Sequence, residues 1–161
     1  MSILQAKVAE IPVDGRQSET ALKVARGTGR LLMSLGFCCV SELPLPSGRR
    51  ADLTALSTSG EIWIVEIKSS IADFRADQKW MDYRMHCDRL FFATTVDVPC
   101  EIFPPDTGLI VADAFGAEIK CEAPEHKLHA ATRKSMTLSI ARAAALRLQS
   151  LIDPSGPYDA F

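Results

Sequence analysis

Residues 61–68, EIWIVEIK, constrain the fold more than any other part of the chain. Side chains alternate along a strand, so Ile62, Ile64, Glu66 and Lys68 share one face while Trp63, Val65 and Ile67 share the other. A run this apolar on both faces reads as a central strand of a sheet. Two opposite charges close together at its C-terminal end, on one face, are therefore anomalous. Glu and Lys are rarely buried unless they are paired or bound to something.

Residues 50–56, RADLTAL, form the preceding strand candidate, and Ser57-Thr58-Ser59-Gly60 between the two is turn chemistry, so a hairpin is predicted. If Thr58, Ser59 and Gly60 make a three-residue loop, Ser57 pairs with Glu61 and Asp52 falls opposite Glu66. A two-residue loop places Asp52 opposite Val65 instead. Both registers bring the two carboxylates into one neighbourhood, and only the first puts them on the same face.

Around this hairpin the periodicity predicts a helix over 17–35, with Gly36 as its stop and Gly27 and Gly29 weakening its middle. A strand at 37–45 follows, cut short by Pro44 and Pro46. After the hairpin, Ile71, Phe74, Met81 and Met85 predict one helical face over 70–86. Further buried strands are expected at 89–95 and 108–115, with turns between them, and a long Ala/Leu-rich helix from about 131 to 151 closes the chain. The expected fold class is α/β, a mixed central sheet flanked by helices. The 161 residues are expected to form a single domain, with loose termini at 1–15 and 153–161.

Composition excludes some functions. No stretch is long and apolar enough to span a membrane, and the N-terminus lacks the features of a secretory leader, so a cytoplasmic protein is expected. The five cysteines form no C-x-x-C pair and read as reduced, mostly buried thiols. The net charge of −2 argues against a simple basic nucleic-acid binder. It is compatible with a cluster of metal-binding carboxylates and with positive charge gathered on one face. No phosphate-binding glycine loop, nucleophile elbow or dinucleotide fingerprint supports a small-molecule enzyme.

Two adjacent carboxylates repel each other unless a cation lies between them. Oxygen ligands with open positions suit Mg²⁺ or Mn²⁺, which keep waters and accept phosphate oxygens. An ammonium at Lys68, near such a cation and a bound phosphate, can position or help deprotonate an attacking water and stabilise the transition state. Asp52, Glu66 and Lys68 are thus the minimal catalytic set for metal-assisted phosphodiester hydrolysis. The bland alternative is an ordinary Glu66–Lys68 ion pair at a strand end beside a solvated Asp52.

The pattern Arg50-Ala51-Asp52, a hairpin, and Val65-Glu66-Ile67-Lys68-Ser69-Ser70 before a helix resembles the PD-(D/E)XK endonuclease superfamily, with Ala51 in place of the proline. That resemblance implies a restriction-endonuclease-like fold. It implies Asp52, Glu66 and the Ile67 carbonyl as metal ligands, with Glu19 on the first helix as an additional acid, and it points to Lys79 or Gln78 as a phosphate contact. The run from Arg49 to Ala93, then GLIVADAFGAEI and APEHKLHAATRKSMTLSIARAAALRL, is similar to the MmcB-like DNA repair family of alphaproteobacteria. Membership implies a role in DNA repair, with DNA and other repair proteins as partners.

Positive charge is concentrated in two places. Between His126 and Ile152 there is no Asp or Glu, whereas Lys127, Arg133, Lys134, Arg142 and Arg147 all occur, and Arg49 and Arg50 precede the hairpin. Arg50, Lys79, Arg133 and Lys134 are the expected DNA contacts. A homodimer suits a small nuclease that must cut two strands. The competing expectation is a non-catalytic nuclease-fold subunit that binds DNA or scaffolds a repair complex.

Overall fold

The computed structural model describes residues 17–77 and 79–158. Helix α1 (Glu19–Ser34) begins where the Ser18 hydroxyl accepts the Ala21 N–H, and it ends at Leu35 with Gly36 at φ +85°. Six strands follow: β1 (Phe37–Pro44), β2 (Arg50–Ser57), β3 (Ile62–Ile67), β4 (Arg89–Thr94), β5 (Gly108–Ala112) and β6 (Ala117–Cys121). They form one sheet in chain order. The β1–β2, β2–β3 and β5–β6 pairs are antiparallel, whereas β3–β4 and β4–β5 are parallel. The fold is therefore α/β, a mixed sheet flanked by helices. Parallel neighbours need crossover connections, and between β3 and β4 this is made by helix α2 (Ile71–Ala76) and a 3₁₀ segment, Trp80–His86. Helix α3 (Ala130–Ile152) closes the fold. No helix among the described residues is long and apolar enough to cross a membrane.

The alternation in β3 works as the sequence suggests. Trp63 and Val65 pack with Val24 and Leu32 of α1, with Trp63 tilted between Phe37 at 4.3 Å and Phe91 at 4.7 Å. Ile62 and Ile64 pack on the other face with Tyr83 and with Met136 and Ile140 of α3. Burying each such side chain is worth about 1.5–3 kcal/mol, so both layers hold β3 in register. Ser57 N–H donates to the Glu61 carbonyl and Gly60 sits at φ +87°, which makes the turn the three-residue loop.

Gly27 lies where α1 meets the β5–β6 turn. A Cβ there would stand 2.1 Å from the Asp113 carbonyl oxygen, so glycine at this position buys close approach despite its cost to the helix.

Three expectations need correction. The helix over 70–86 is two pieces, and Met81 and Met85 are exposed. The tighter 3₁₀ winding turns Trp80 and Tyr83, three residues apart, toward the sheet. The strand at 108–115 ends at Ala112, because the Asp113 carboxylate accepts the Phe115 and Gly116 N–H groups and reverses the chain into β6, a strand the pattern did not reveal. Cys38, Cys100 and Cys121 are exposed, leaving only Cys87 fully buried. The N-terminal segment behind the leader and loose-terminus expectations lies outside the described residues.

Candidate metal centre

The β2–β3 register runs from Leu56 opposite Ile62 to Leu53 opposite Val65, which continues to Asp52 opposite Glu66. The two residues are cross-linked through their backbones. The Asp52 N–H donates to Glu66 Oε1 at 3.1 Å, and the Ile67 N–H donates to Asp52 Oδ2 at 2.7 Å. Glu66 is almost wholly buried, at 3% exposure. Burial is the largest influence on both acids and disfavours their charged forms. Asp52 is pushed up to about 6, with Glu42 and Asp73 adding repulsion against the Ile67 N–H and Lys68. Glu66 is raised well above the carboxylate range by burial and then by Asp52.

Beyond the end of β3, Lys68 is buried, with its N–H donating to the Ala93 carbonyl and its own carbonyl accepting from Thr94 Oγ1. Its Nζ donates to Asp77 Oδ2 at 2.7 Å. Burial pulls the ammonium down, but the hydrogen bond and charge of Asp77, with Glu66 and Asp73 behind, raise its pKa on balance. Lys68 is a cation at neutral pH. Asp77 stays ionised, held below the usual range by Lys68 and the Lys79 N–H against its own burial.

Asp77 owes its position to the break after α2. Ser70 and Asp73 cap the helix start reciprocally: the Ser70 hydroxyl accepts the Asp73 N–H, and the Asp73 carboxylate reaches back to the Ser69 N–H. Six residues later Asp77 is extended, at φ −93° and ψ 94°. Tyr83 reaches the same cavity from the 3₁₀ segment, its hydroxyl donating to the Arg50 carbonyl. Burial, then the nearby Glu66 and Asp52, raises the Tyr83 phenol, which stays protonated.

These groups line an open cavity of about 360 Å³ that also takes in Gln17, Ser18, Ala21, Arg50, Ile67, Ser69 and Asp73. Asp52, Glu66 and Lys68 are brought together on its wall, with Ile67 between the last two. Glu19 is not. Placed first in the helix by the Ser18 cap, it points outward and pairs with Lys23 one turn on, with its side chain 82% exposed.

The acids that do influence Asp52 from outside the hairpin are Glu42 and, after it, Asp73. Glu42 lies in β1 at φ +52° and is held by Gln17 Nε2 at 2.6 Å and Arg50 Nε at 2.5 Å. Glu42 did not stand out in the sequence; of the two acids after the site, Asp73 reads as the one to cap the helix start or hold Lys68, and the structure gives it the cap and gives Lys68 to Asp77. An acidic residue nine positions after the strand lysine was the available signal for Asp77, and nothing local marks Glu42.

The expected DNA contacts divide. Arg50 lines the cavity, bound to Glu42. Lys79 is exposed just past Asp77, and Gln78 lies outside the described residues. Arg133 lies elsewhere. Its guanidinium grips buried Asp88 through both nitrogens, at 2.7 and 2.6 Å, and donates to the Gly60 carbonyl. Gly60 is at the turn end of the hairpin, about 20 Å along the strand from Glu66. Lys134 is exposed beside it.

A divalent cation fits the donor set. Among the described residues no three His, Cys, Asp or Glu side chains form a metal cluster. Mg²⁺ commonly takes only one or two carboxylates and completes its shell with water and phosphate oxygens. A buried and a half-buried carboxylate side by side, both raised by burial on the wall of an open cavity, are a donor set that a cation would relieve.

The sequence profile described as DNA repair protein MmcB-like matches residues 8–155. A solved structure, the SPO1766 protein of unknown function from Silicibacter pomeroyi, superposes with a TM-score of 0.82 at 45% identity, covering 87% of this chain and 96% of that one. No curated protein matches. With the profile spanning nearly its whole length, the chain belongs to the MmcB-like DNA repair family.

Proposed function

We propose that this MmcB-like chain is a metal-dependent DNA phosphodiesterase of the PD-(D/E)XK type, with a restriction-endonuclease-like fold. Asp52, Glu66 and the Ile67 carbonyl would hold Mg²⁺ or Mn²⁺. The observation that carries this reading is the pairing of two adjacent carboxylates, Asp52 half-buried and Glu66 buried, both raised by burial, with a buried, charged lysine on one cavity wall.

The bound cation would lower the pKa of a coordinated water and neutralise charge on phosphate oxygens. The chain's own groups do the rest. Lys68, fixed by Asp77, offers a positive charge toward the cavity where a phosphodiester oxygen gains negative charge. Held as a cation, Lys68 is suited to charge stabilisation and not to accepting a proton. Arg50, at the cavity rim, is the residue best placed to meet a neighbouring phosphate.

One set of bonds favours a second reading. Asp52 and Glu66 each already accept a strand N–H, and Lys68 already has Asp77, so the cluster is hydrogen-bonded within itself. That suits a nuclease-fold subunit that binds DNA without cutting it. Calorimetry with Mg²⁺ and Mn²⁺ on the wild type and Asp52→Ala, beside cleavage of a panel of duplex, flap, junction and single-stranded DNAs, separates the two. Metal binding lost in Asp52→Ala, with cleavage of at least one substrate, supports the nuclease. DNA binding that ignores metal and survives Glu66→Ala, without cleavage, supports the subunit.

A further inference from the structure

Helix α3 is apolar on two nearly opposite faces. One is covered: Met136 and Ile140 are buried against the sheet and the 3₁₀ segment, Ala143 packs against them, and Arg147 continues the row by donating to the Ser41 and Glu42 carbonyls. The other runs through Leu138, Ala141, Ala145, Leu148 and Ile152, spaced alternately three and four residues apart. That is the spacing of a coiled-coil seam. All five are exposed, Leu138 at 53%, Leu148 at 59% and Ile152 at 76%. An apolar helix face is normally turned to a core or a partner, and only one of these two is covered.

Charge indicates what covers the other side. Residues 126–152 hold five of the chain's 18 Lys and Arg and none of its 20 Asp and Glu. In heptad terms Arg142 takes the flanking position that governs partner choice, and Lys134 extends the seam one step toward the N-terminus. Arg133 and Arg147 are engaged within the fold, whereas Lys134 and Arg142 are exposed beside the seam. A second copy of α3 would bring like charges together with no acid on either side to pair them. A phosphate backbone would answer the charge but leave Leu138, Leu148 and Ile152 against a polar surface.

We propose that the exposed face of α3 is a docking site for an acidic amphipathic helix of another protein, its apolar seam laid along Leu138–Ile152 and its acids meeting Lys134 and Arg142. The small Ala141 and Ala145 at the centre let the two backbones approach closely.

The test uses two synthetic peptides of about three heptads, with Leu at the seam and either Glu or Lys at the flanks, titrated against the full chain by fluorescence anisotropy. The Glu peptide is expected to bind at least about tenfold more tightly than the Lys peptide and to weaken as salt is raised. Leu138→Asp with Leu148→Asp is expected to abolish binding, and Arg142→Glu to reverse the preference between peptides. Both changes fall on exposed side chains, and an unchanged circular dichroism spectrum checks that the fold persists. No binding of either peptide, or equal binding of both, overturns the proposal. So does sedimentation of the chain alone as a dimer that Leu148→Asp dissociates, which gives the seam to a second copy. Duplex DNA binding that Arg142→Glu abolishes, in the absence of peptide binding, gives it to DNA.

Discussion

Asp52→Asn is expected to stabilise the metal-free protein at the same time as it disables metal binding. Burial and neighbouring charge raise Asp52 from 3.8 to about 6. A tenfold change in acid dissociation is worth about 1.4 kcal/mol, so ionising this group in the folded state costs about 3 kcal/mol. The sign follows from proton linkage. Below about pH 4 the carboxyl is protonated whether the chain is folded or unfolded, and no penalty arises. Between about pH 4 and 6 the unfolded chain ionises while the folded one holds its proton, so this group's contribution to stability falls as pH rises. Above about 6 the full penalty is present.

An asparagine keeps an oxygen to accept the Ile67 N–H, now 2.7 Å from Asp52 Oδ2, and removes the negative charge that raises Glu66. Urea unfolding in EDTA at pH 4 and pH 8, on wild type and variant, isolates the effect. The two proteins should be nearly equal at pH 4, with the variant more stable by up to about 3 kcal/mol at pH 8. Excess Mg²⁺ should stabilise only the wild type. A variant less stable than wild type at pH 8, or a difference that does not change with pH, would refute the strained-carboxylate account.

Lys68→Ala should lower DNA cleavage about a hundredfold or more while leaving metal binding in calorimetry intact, because its role is charge stabilisation. Asp77→Asn should act through Lys68, releasing its ammonium to titrate at lower pH and drawing the alkaline limb of the pH–rate profile down with it. Asp88→Ala should cost about 3–5 kcal/mol in urea unfolding, since it strands Arg133 and the Ile62 and Leu128 N–H groups that the carboxylate now accepts. Gly27→Ala should destabilise by about 1–3 kcal/mol because its methyl meets the Asp113 and Gly116 carbonyls. Gly29→Ala, with open space around the new methyl, should gain up to about 1 kcal/mol in thermal or urea unfolding.

Much of the fold was legible because the dominant pattern is local. The alternation in 62–67 and the turn residues before it narrow the β2–β3 register to two, and the Ser57–Glu61 hydrogen bond with Gly60 at φ +87° selects the three-residue loop. Helix α1 declares itself through the helical spacing of its apolar residues and through Gly36, while its Ser18 cap emerges only in the structure. The misreadings fall where a side chain far in sequence overrides local preference. Residues 70–86 have helical spacing throughout, yet the Asp77 carboxylate, drawn to Lys68 nine residues back, ends α2 after Ala76. Strand β6 is half-exposed and short, and it owes its existence to pairing with β5 rather than to a hydrophobic pattern of its own.

The site divides in the same way. Asp52, Glu66 and Lys68 were legible because they sit on one hairpin whose geometry the sequence nearly determines. The residues that set their charge were not. Glu42 reaches its place through a left-handed backbone step in β1, a conformation no local rule assigns to glutamate, and is held there by Gln17 and Arg50 from two other segments. Arg133 shows the converse. Sequence marks it as one more cation in an acid-free helix, whereas the fold uses it to close a buried carboxylate 45 residues away. A charge count along the chain therefore overstates what is free to meet DNA. Of the exposed cations on α3, Arg147 is bonded to the β1 carbonyls, while Lys134 and Arg142 flank an apolar seam and do not line the carboxylate cavity.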